Sequence, residues 1–223
     1  MTEQGRRPIP ARGLATSRGL AAWLAARGVT PNQISLFGLA VGIGSGLALA
    51  LTGFAPDWTG PLAVASAVFV GLRGAANMLD GMVAVEHGKA SRLGMLYNEL
   101  PDRISDVALM AGAGYAAGGS PVVGWLAACA ALVVAYIRTL VCLAGAPADF
   151  GGLMAKQQRM FSLAGAALWL GLAPSAWQPV WGPGGSWGIV AAVLWLIVVG
   201  GVQTAWVRLR RAAAALNAPS SAG

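Results

Sequence analysis

TPNQISLFGLAVGIGSGLALALTG, residues 30–53, is an uncharged, mostly apolar run that opens with a helix-start signal. Thr30 suits an N-cap, Pro31 suits the first helical position, and Gln33 completes a capping box. The run is long enough to cross a bilayer, which takes about 20 predominantly apolar residues in a helix. Only helices and closed barrels satisfy every backbone hydrogen bond in lipid, and so long a run does not alternate as a barrel strand does. The stretch therefore predicts a transmembrane helix. Gly38, Gly42 and Gly46 recur every four residues within it, a small-residue face that packs inside a bundle or forms a dimer seam.

The rest of the chain repeats the pattern. Hydrophobic residues make up 57% and charged residues 10% of the 223 positions, with a mean hydropathy of +0.65. A soluble domain carries about a quarter charged residues, so this is the composition of an integral membrane protein with no room for a large soluble domain. Further spans are expected at about 60–86, 94–117, 121–144, 156–173 and 187–208. Residues 13–28 hold Arg18 and Arg27 among Leu14, Leu20, Trp23 and Leu24; this stretch is too short to span and reads as an interfacial amphipathic helix. The fold class is thus all-α, a polytopic bundle of six transmembrane helices with an N-terminal interfacial helix. One membrane domain covers 13–211, between a disordered basic N-terminus at 1–12 and a disordered tail at 212–223. Cys129 and Cys142 lie in one apolar run and read as buried thiols, not a disulfide framework. Trp58, Trp177, Trp181 and Trp187 sit in uncharged connections and read as an interfacial belt, while His87 reads as polar surface.

Charge fixes an orientation. Arg6, Arg7, Arg12, Arg18 and Arg27 precede the first span. Lys89 and Arg92 join spans two and three, Lys156 and Arg159 open span five, and Arg208, Arg210 and Arg211 end span six. The other three connections hold no Lys or Arg. All the basic segments fall on one side, which the positive-inside rule makes cytoplasmic, with both termini there. A bacterial inner membrane is the expected location. The formal net charge of +7 suits anionic lipid surfaces and membrane lipids as partners; no aromatic-interleaved groove suggests nucleic acid.

Five of the eight acidic residues, Asp80, Glu86, Glu99, Asp102 and Asp106, gather in residues 77–106. Asn77, Asp80 and Ala84 share one face of span two, and Asn98, Asp102 and Asp106 one face of span three; the segment 87–93 is expected to bring the faces together. A charge at mid-bilayer costs at least about 2.5–3.5 kcal/mol, so carboxylates in this setting mark function. Hard divalent cations take such oxygen ligands, and Mg²⁺ commonly arrives with substrate phosphates. The pattern points to a metal-assisted phosphate site on the cytoplasmic side. The plainer reading is salt bridging to Arg73 and Arg103.

Asn77-x-x-Asp80-Gly81-x-x-Ala84, followed by Gly94-x-x-x-Asn98-x-x-x-Asp102, resembles the signature of the CDP-alcohol phosphatidyltransferase family, D-x-x-D-G-x-x-A-R and then G-x-x-x-D-x-x-x-D. Six spans, cytoplasmic termini, an amphipathic leading helix and VTPNQIS at the head of span one agree with it. The resemblance implies a membrane phosphotransferase of phospholipid biosynthesis. Such an enzyme transfers a phosphatidyl or phospho-alcohol group from a CDP-linked lipid donor to an alcohol or phospho-alcohol and releases CMP. It implies Mg²⁺ or Mn²⁺ on Asn77, Asp80, Asn98 and Asp102, with Asp102 as general base. Gly81 and Gly94 would allow close approach of helices and nucleotide, and Ala84 completes the motif. Asn77 and Asn98 stand where the family has aspartates, and Val85 where it has arginine. Asparagine still offers a carbonyl oxygen but no charge, so the cage falls from a formal −4 to −2. Glu99 and Asp106 are candidates to restore charge, with Pro101 expected to kink the helix and re-aim Glu99.

A second constellation is basic. Arg138 lies late in span four, and Lys156 and Arg159 share the start of span five. The pair Arg138 and Arg159 reads as a pocket for a lipid or alcohol phosphate, whereas Lys156 alone reads as a positive-inside anchor. Two other classes compete with the enzyme: a relative that binds CDP-lipid or headgroups without releasing CMP, and a small transporter. The transporter would want midplane polar residues and inverted repeats, which the sequence lacks. A homodimer through the glycine face is a further expectation.

Overall fold

A computed structural model describes residues 15–86 and 94–217. Seven α-helices follow in order: α1 Ala15–Ala26, α2 Pro31–Leu51, α3 Thr59–Glu86, α4 Gly94–Gly114, α5 Pro121–Leu143, α6 Lys156–Leu172 and α7 Ile189–Leu216. Among the described residues there is no β-strand, only an isolated bridge between Trp181 and Trp187. The expected helix starts hold to within two residues. α7 runs on to Leu216, so residues 212–216, expected to be disordered, are helical; Ala212 packs there in a small cluster with Ile137, Val141 and Ala146. The segment 87–93, with His87, Lys89 and Arg92, lies outside the described residues, as do residues 1–14 and 218–223.

Local chemistry explains the boundaries. Thr30 Oγ1 accepts from the Gln33 N–H at 3.3 Å, and the Thr30 N–H donates to Gln33 Oε1 at 2.9 Å, the reciprocal bonds of a capping box. Pro121 sits at the start of α5 after Ser120, where its missing N–H costs no helical bond. Gly118, at φ +65°, bends the α4–α5 connection back so that its carbonyl accepts from the Gly188 N–H at 2.8 Å. A Cβ at Gly118 would lie 3.0 Å from the Gly188 backbone. Only glycine meets both demands at that point.

Helices α2, α5 and α7, together with the segment Pro56–Ala84 that contains most of α3, are long and apolar enough to cross a membrane. α4 and α6 fall short of that description. α6 has 17 residues, about 26 Å of helix at 1.5 Å per residue, less than the roughly 30 Å hydrocarbon core. α4 and α6 instead carry charged side chains, of which Asp102, Asp106 and Arg159 are buried and Glu99 is part-exposed. The lipid-facing surface is apolar: Phe37, Leu47, Val68, Val122, Val133, Val199 and Val202 are all exposed. In water such a surface would be a liability, whereas lipid is its natural solvent. The protein is an integral membrane protein. Cys129 and Cys142 belong to that outer surface and are exposed, not buried as expected. The buried stripe of α5 runs through Val123, Ala127, Ala131, Val134 and Val141, and the thiols fall on its far side.

α2 packs against both α3 and α4, and α5 against α4 and α7. The glycine face of α2 is used up inside this bundle. A Cβ on Gly42 would sit 2.6 Å from Ser105 and 2.8 Å from Arg73 Cδ, and one on Gly46 would sit 2.1 Å from the Ala108 carbonyl oxygen. Gly112 returns the contact, since its Cβ would meet the Gly46 carbonyl oxygen at 2.1 Å. The face therefore supplies no dimer seam. Gly46→Leu is expected to destabilise the fold by about 1–3 kcal/mol or more through overpacking. Gly74, whose Cβ would meet nothing within 4 Å, should tolerate alanine. Thermal unfolding of both variants in detergent checks the contrast; equal melting temperatures would refute this packing.

The ends are finished by aromatic and polar contacts. Trp181 and Trp187 meet edge-to-face at 5.1 Å, closing the connection before α7. In the α5–α6 connection, burial works against ionisation of Asp149. Donation from the Gly151 N–H and from Arg211 outweighs it and holds this carboxyl below the usual carboxylate range.

Candidate active site

The two halves of the acidic motif stand on α3 and α4, and Arg73 ties them together. It lies one helical turn before Asn77, so both share a face of α3. Its guanidinium donates through Nη1 to Asn77 Oδ1 at 2.9 Å and through Nη2 to Asp102 Oδ1 at 2.7 Å. Arg73 is only 4% exposed. The missing side chain of Gly42 makes room for its stem.

Asp102 has a second cationic partner. Lys156 Nζ, from the first residue of α6, donates to Asp102 Oδ2. The lysine is therefore no surface anchor; it reaches across to α4 and occupies the other carboxylate oxygen. Asp80 sits differently. It is 4% exposed and accepts from Ser35 Oγ on α2 at 2.8 Å. Among the described residues it has no ion-pair partner.

The remaining charges form two further pairings. Glu99 accepts from Arg138 at 2.6 Å and from Arg103 at 3.1 Å. Asp106 accepts from Arg159 at 3.2 Å and lies 3.6 Å from Arg103. Arg159, 2% exposed, also donates to the Met154 carbonyl at 2.8 Å. Arg138 and Arg159 thus pair with separate carboxylates, Glu99 and Asp106, and Arg103 lies against both of these acids. Glu99 and Asp106 are paired with arginines, and Arg103, 3.9 Å from Asp102, ties them into the same charged network. α4 continues through Pro101, whose carbonyl accepts from Ser105 Oγ at 2.7 Å. Salt bridging to Arg73 and Arg103 is extensive across the acidic stretch.

Of the other motif positions, Gly81 and Ala84 lie on α3 and Gly94 opens α4. The backbone of Asn98 is in α4, one turn before Asp102; its side chain and that of Val85 lie outside the described residues. A cavity of about 250 Å³ opens elsewhere, lined by Val141, Asp149, Arg208 and Arg211 among others, and no motif residue borders it.

A family model for CDP-alcohol phosphatidyltransferase matches residues 28–206. The chain belongs to the CDP-alcohol phosphatidyltransferase family. It is an enzyme of that family, a membrane phosphotransferase of phospholipid biosynthesis that uses a CDP-linked donor. A phosphatidylinositol phosphate synthase from Mycobacteroides abscessus is 28% identical over 196 residues, covering 85% of this chain and 80% of its own. The fold matches that of the phosphatidylinositol phosphate synthase of Mycobacterium tuberculosis. Its structure with manganese and citrate gives a TM-score of 0.70 at 23% identity, covering 88% of each chain. Its structure with CDP-DAG bound gives 0.69 at 23% identity, covering 89% of this chain and 94% of that one.

CDP-alcohol phosphatidyltransferases use divalent Mg²⁺ or Mn²⁺, and the donor set here fits such an ion only in part. Asp80 and Asn77 present hard oxygens of the right kind. Asp102 has both oxygens held by cations, and among the described residues no three carboxylate, histidine or cysteine groups gather to hold a metal. The residues suit one divalent ion beside Asp80, completed by water and substrate phosphate as Mg²⁺ commonly is. Among the described residues, Asn77 Oδ1 and both Asp102 oxygens already accept from Arg73 and Lys156, so no free donor set for a second ion is present.

Ser35, a functional neighbour that motif reasoning left unassigned, was already inside the VTPNQIS stretch that resembles the family. Its spacing of 45 residues from Asp80 left no local signal of the contact.

Proposed function

We propose that this enzyme transfers a phosphatidyl group from a CDP-linked lipid to the hydroxyl of an alcohol or phospho-alcohol at the α3–α4 site. The bridge from Arg73 to both Asn77 and Asp102 carries this reading, because it joins the two motif halves in one buried cluster. The manganese and the CDP-DAG held by the tuberculosis enzyme support a CDP-lipid donor and a divalent ion here as well.

The chemistry is a displacement at phosphorus. The acceptor oxygen bonds to the lipid-side phosphorus of the diphosphate, the bond to the CMP oxygen breaks, and CMP leaves with the electron pair. Asp102 takes the hydroxyl proton, and a carboxylate in that role contributes about 10²–10⁴-fold. A bound Mg²⁺ or Mn²⁺ neutralises charge on the leaving phosphate. Ser35 fixes one oxygen of Asp80 and so orients the carboxylate that would hold the ion. Asn77 and Asn98 would contribute amide oxygens, with Gly81, Ala84 and Gly94 leaving space along the helices.

Two finer inferences belong with this one. α4 and α6 cross the membrane with the other four, their charges satisfied inward by the Asp102, Glu99 and Asp106 pairings. The site faces the cytoplasm of a bacterial inner membrane, because the basic segments all lie at the same end as the acidic motif.

Purified protein in nanodiscs, given CDP-diacylglycerol, Mn²⁺ or Mg²⁺ and a panel of alcohols and phospho-alcohols, is expected to release CMP with one acceptor class. Silence across the whole panel from folded protein would overturn the transferase in favour of a CDP-lipid-binding relative.

A further inference from the structure

The cluster around the motif holds more cation than anion. Asp80, Glu99, Asp102 and Asp106 supply four negative charges, and Arg73, Arg103, Arg138, Lys156 and Arg159 supply five positive ones. A site meant to gather two divalent cations should lean the other way. The asparagines at 77 and 98 account for the missing negative charge, and Arg73 and Lys156 account for positive charge in its place.

Geometry sharpens the point. The described atoms that would ligate a second ion are the Asn77 amide oxygen and the Asp102 carboxylate. Asn77 Oδ1 accepts from Arg73, Asp102 Oδ1 accepts from the same guanidinium, and Asp102 Oδ2 accepts from Lys156. A dication placed among them would face the Arg73 guanidinium and the Lys156 ammonium in a desolvated site, where Coulomb repulsion is strong. A diphosphate placed there would instead find a planar guanidinium fork and an ammonium, both suited to phosphate oxygens.

We propose that Arg73 and Lys156 bind the donor's diphosphate directly, in place of a second metal ion, so that the enzyme works with one divalent ion per chain. This rests on the CDP-donor reading above. It also resolves how Asp102 serves as a base with both oxygens occupied. When the diphosphate arrives, Lys156 turns from Asp102 to a phosphate oxygen, and the freed carboxylate oxygen accepts the acceptor's hydroxyl proton. No oxidant or other co-reactant is involved, since Lys156 only exchanges one anionic partner for another.

The test uses the whole protein in nanodiscs with two probes, Mn²⁺ counted by electron paramagnetic resonance and CDP measured by calorimetry. The expected result is a single Mn²⁺ per chain at saturation. CDP binding should persist in EDTA and weaken about 10–100-fold on loss of either cation, as for one charge-assisted hydrogen bond. Arg73→Met and Lys156→Met are tested separately, so that one misfolded variant leaves the other readable. The converse variant, Asn77→Asp with Asn98→Asp and Lys156→Met, should gain a second Mn²⁺. Two Mn²⁺ per chain in the unaltered protein, or CDP affinity unmoved in both methionine variants, would overturn the substitution of cations for metal while leaving CDP chemistry intact. Absence of CDP binding with and without Mn²⁺ would refute the donor reading and this inference with it.

Discussion

Asp102→Asn is expected to lower CMP release by about 10²–10⁴-fold, the usual contribution of a positioned proton acceptor. The same change leaves Arg73 and Lys156 facing a neutral amide, and stranding buried charge costs about 3–5 kcal/mol in favourable cases. Activity and stability should therefore fall together in the single variant. Asp102→Asn combined with Lys156→Met, read against Lys156→Met alone, separates them: the second substitution removes one stranded charge and should restore part of the melting temperature, while CMP release stays far below that of Lys156→Met. Recovery of activity together with stability would mean that Asp102 is a structural anchor and not the base.

How far this site was readable from sequence depended on whether its contacts were local. The capping box at Thr30, the helical register of Asn77 with Asp80, and that of Asn98 with Asp102 are all set within one or two turns, and α2, α3 and α4 begin where these signals place them. The glycine face of α2 was legible as a packing surface, but only coordinates could show that α4 fills it. Spans two and four were plain from length and apolarity. α4 and α6 read as spans three and five from their position in the pattern, yet their charged residues depress hydropathy in the same way whether they face water or one another, so length and apolarity alone do not single them out. Lys156 shows the difficulty best: its position at the start of a helix reads as a membrane anchor, and only the distant Asp102 reveals its use. The pairing of Arg159 with Asp106 spans 53 residues, a separation at which nothing in the chain announces a partner.

That pairing gives the second large effect. Arg159→Met is expected to destabilise the protein by about 3–5 kcal/mol, because it leaves the buried Asp106 carboxylate with Arg103 alone. Adding Asp106→Leu should recover most of the loss, since replacing both members of a buried pair with apolar side chains is often close to neutral. Unfolding in detergent, followed by circular dichroism, gives both values. If Arg159→Met instead kept its stability and only raised the KM for a phospho-alcohol, the residue would belong to an acceptor-phosphate pocket after all.

The central claim is transfer of the donor's lipid phosphate to an alcohol. CDP-diacylglycerol carrying ³²P in the phosphate next to the glycerol tests it most directly, with the responding acceptor and Mn²⁺ present. The label should appear in a new phosphodiester lipid in step with unlabelled CMP. Label that stayed in the donor, or that emerged as phosphatidic acid from hydrolysis, would contradict transfer at this site.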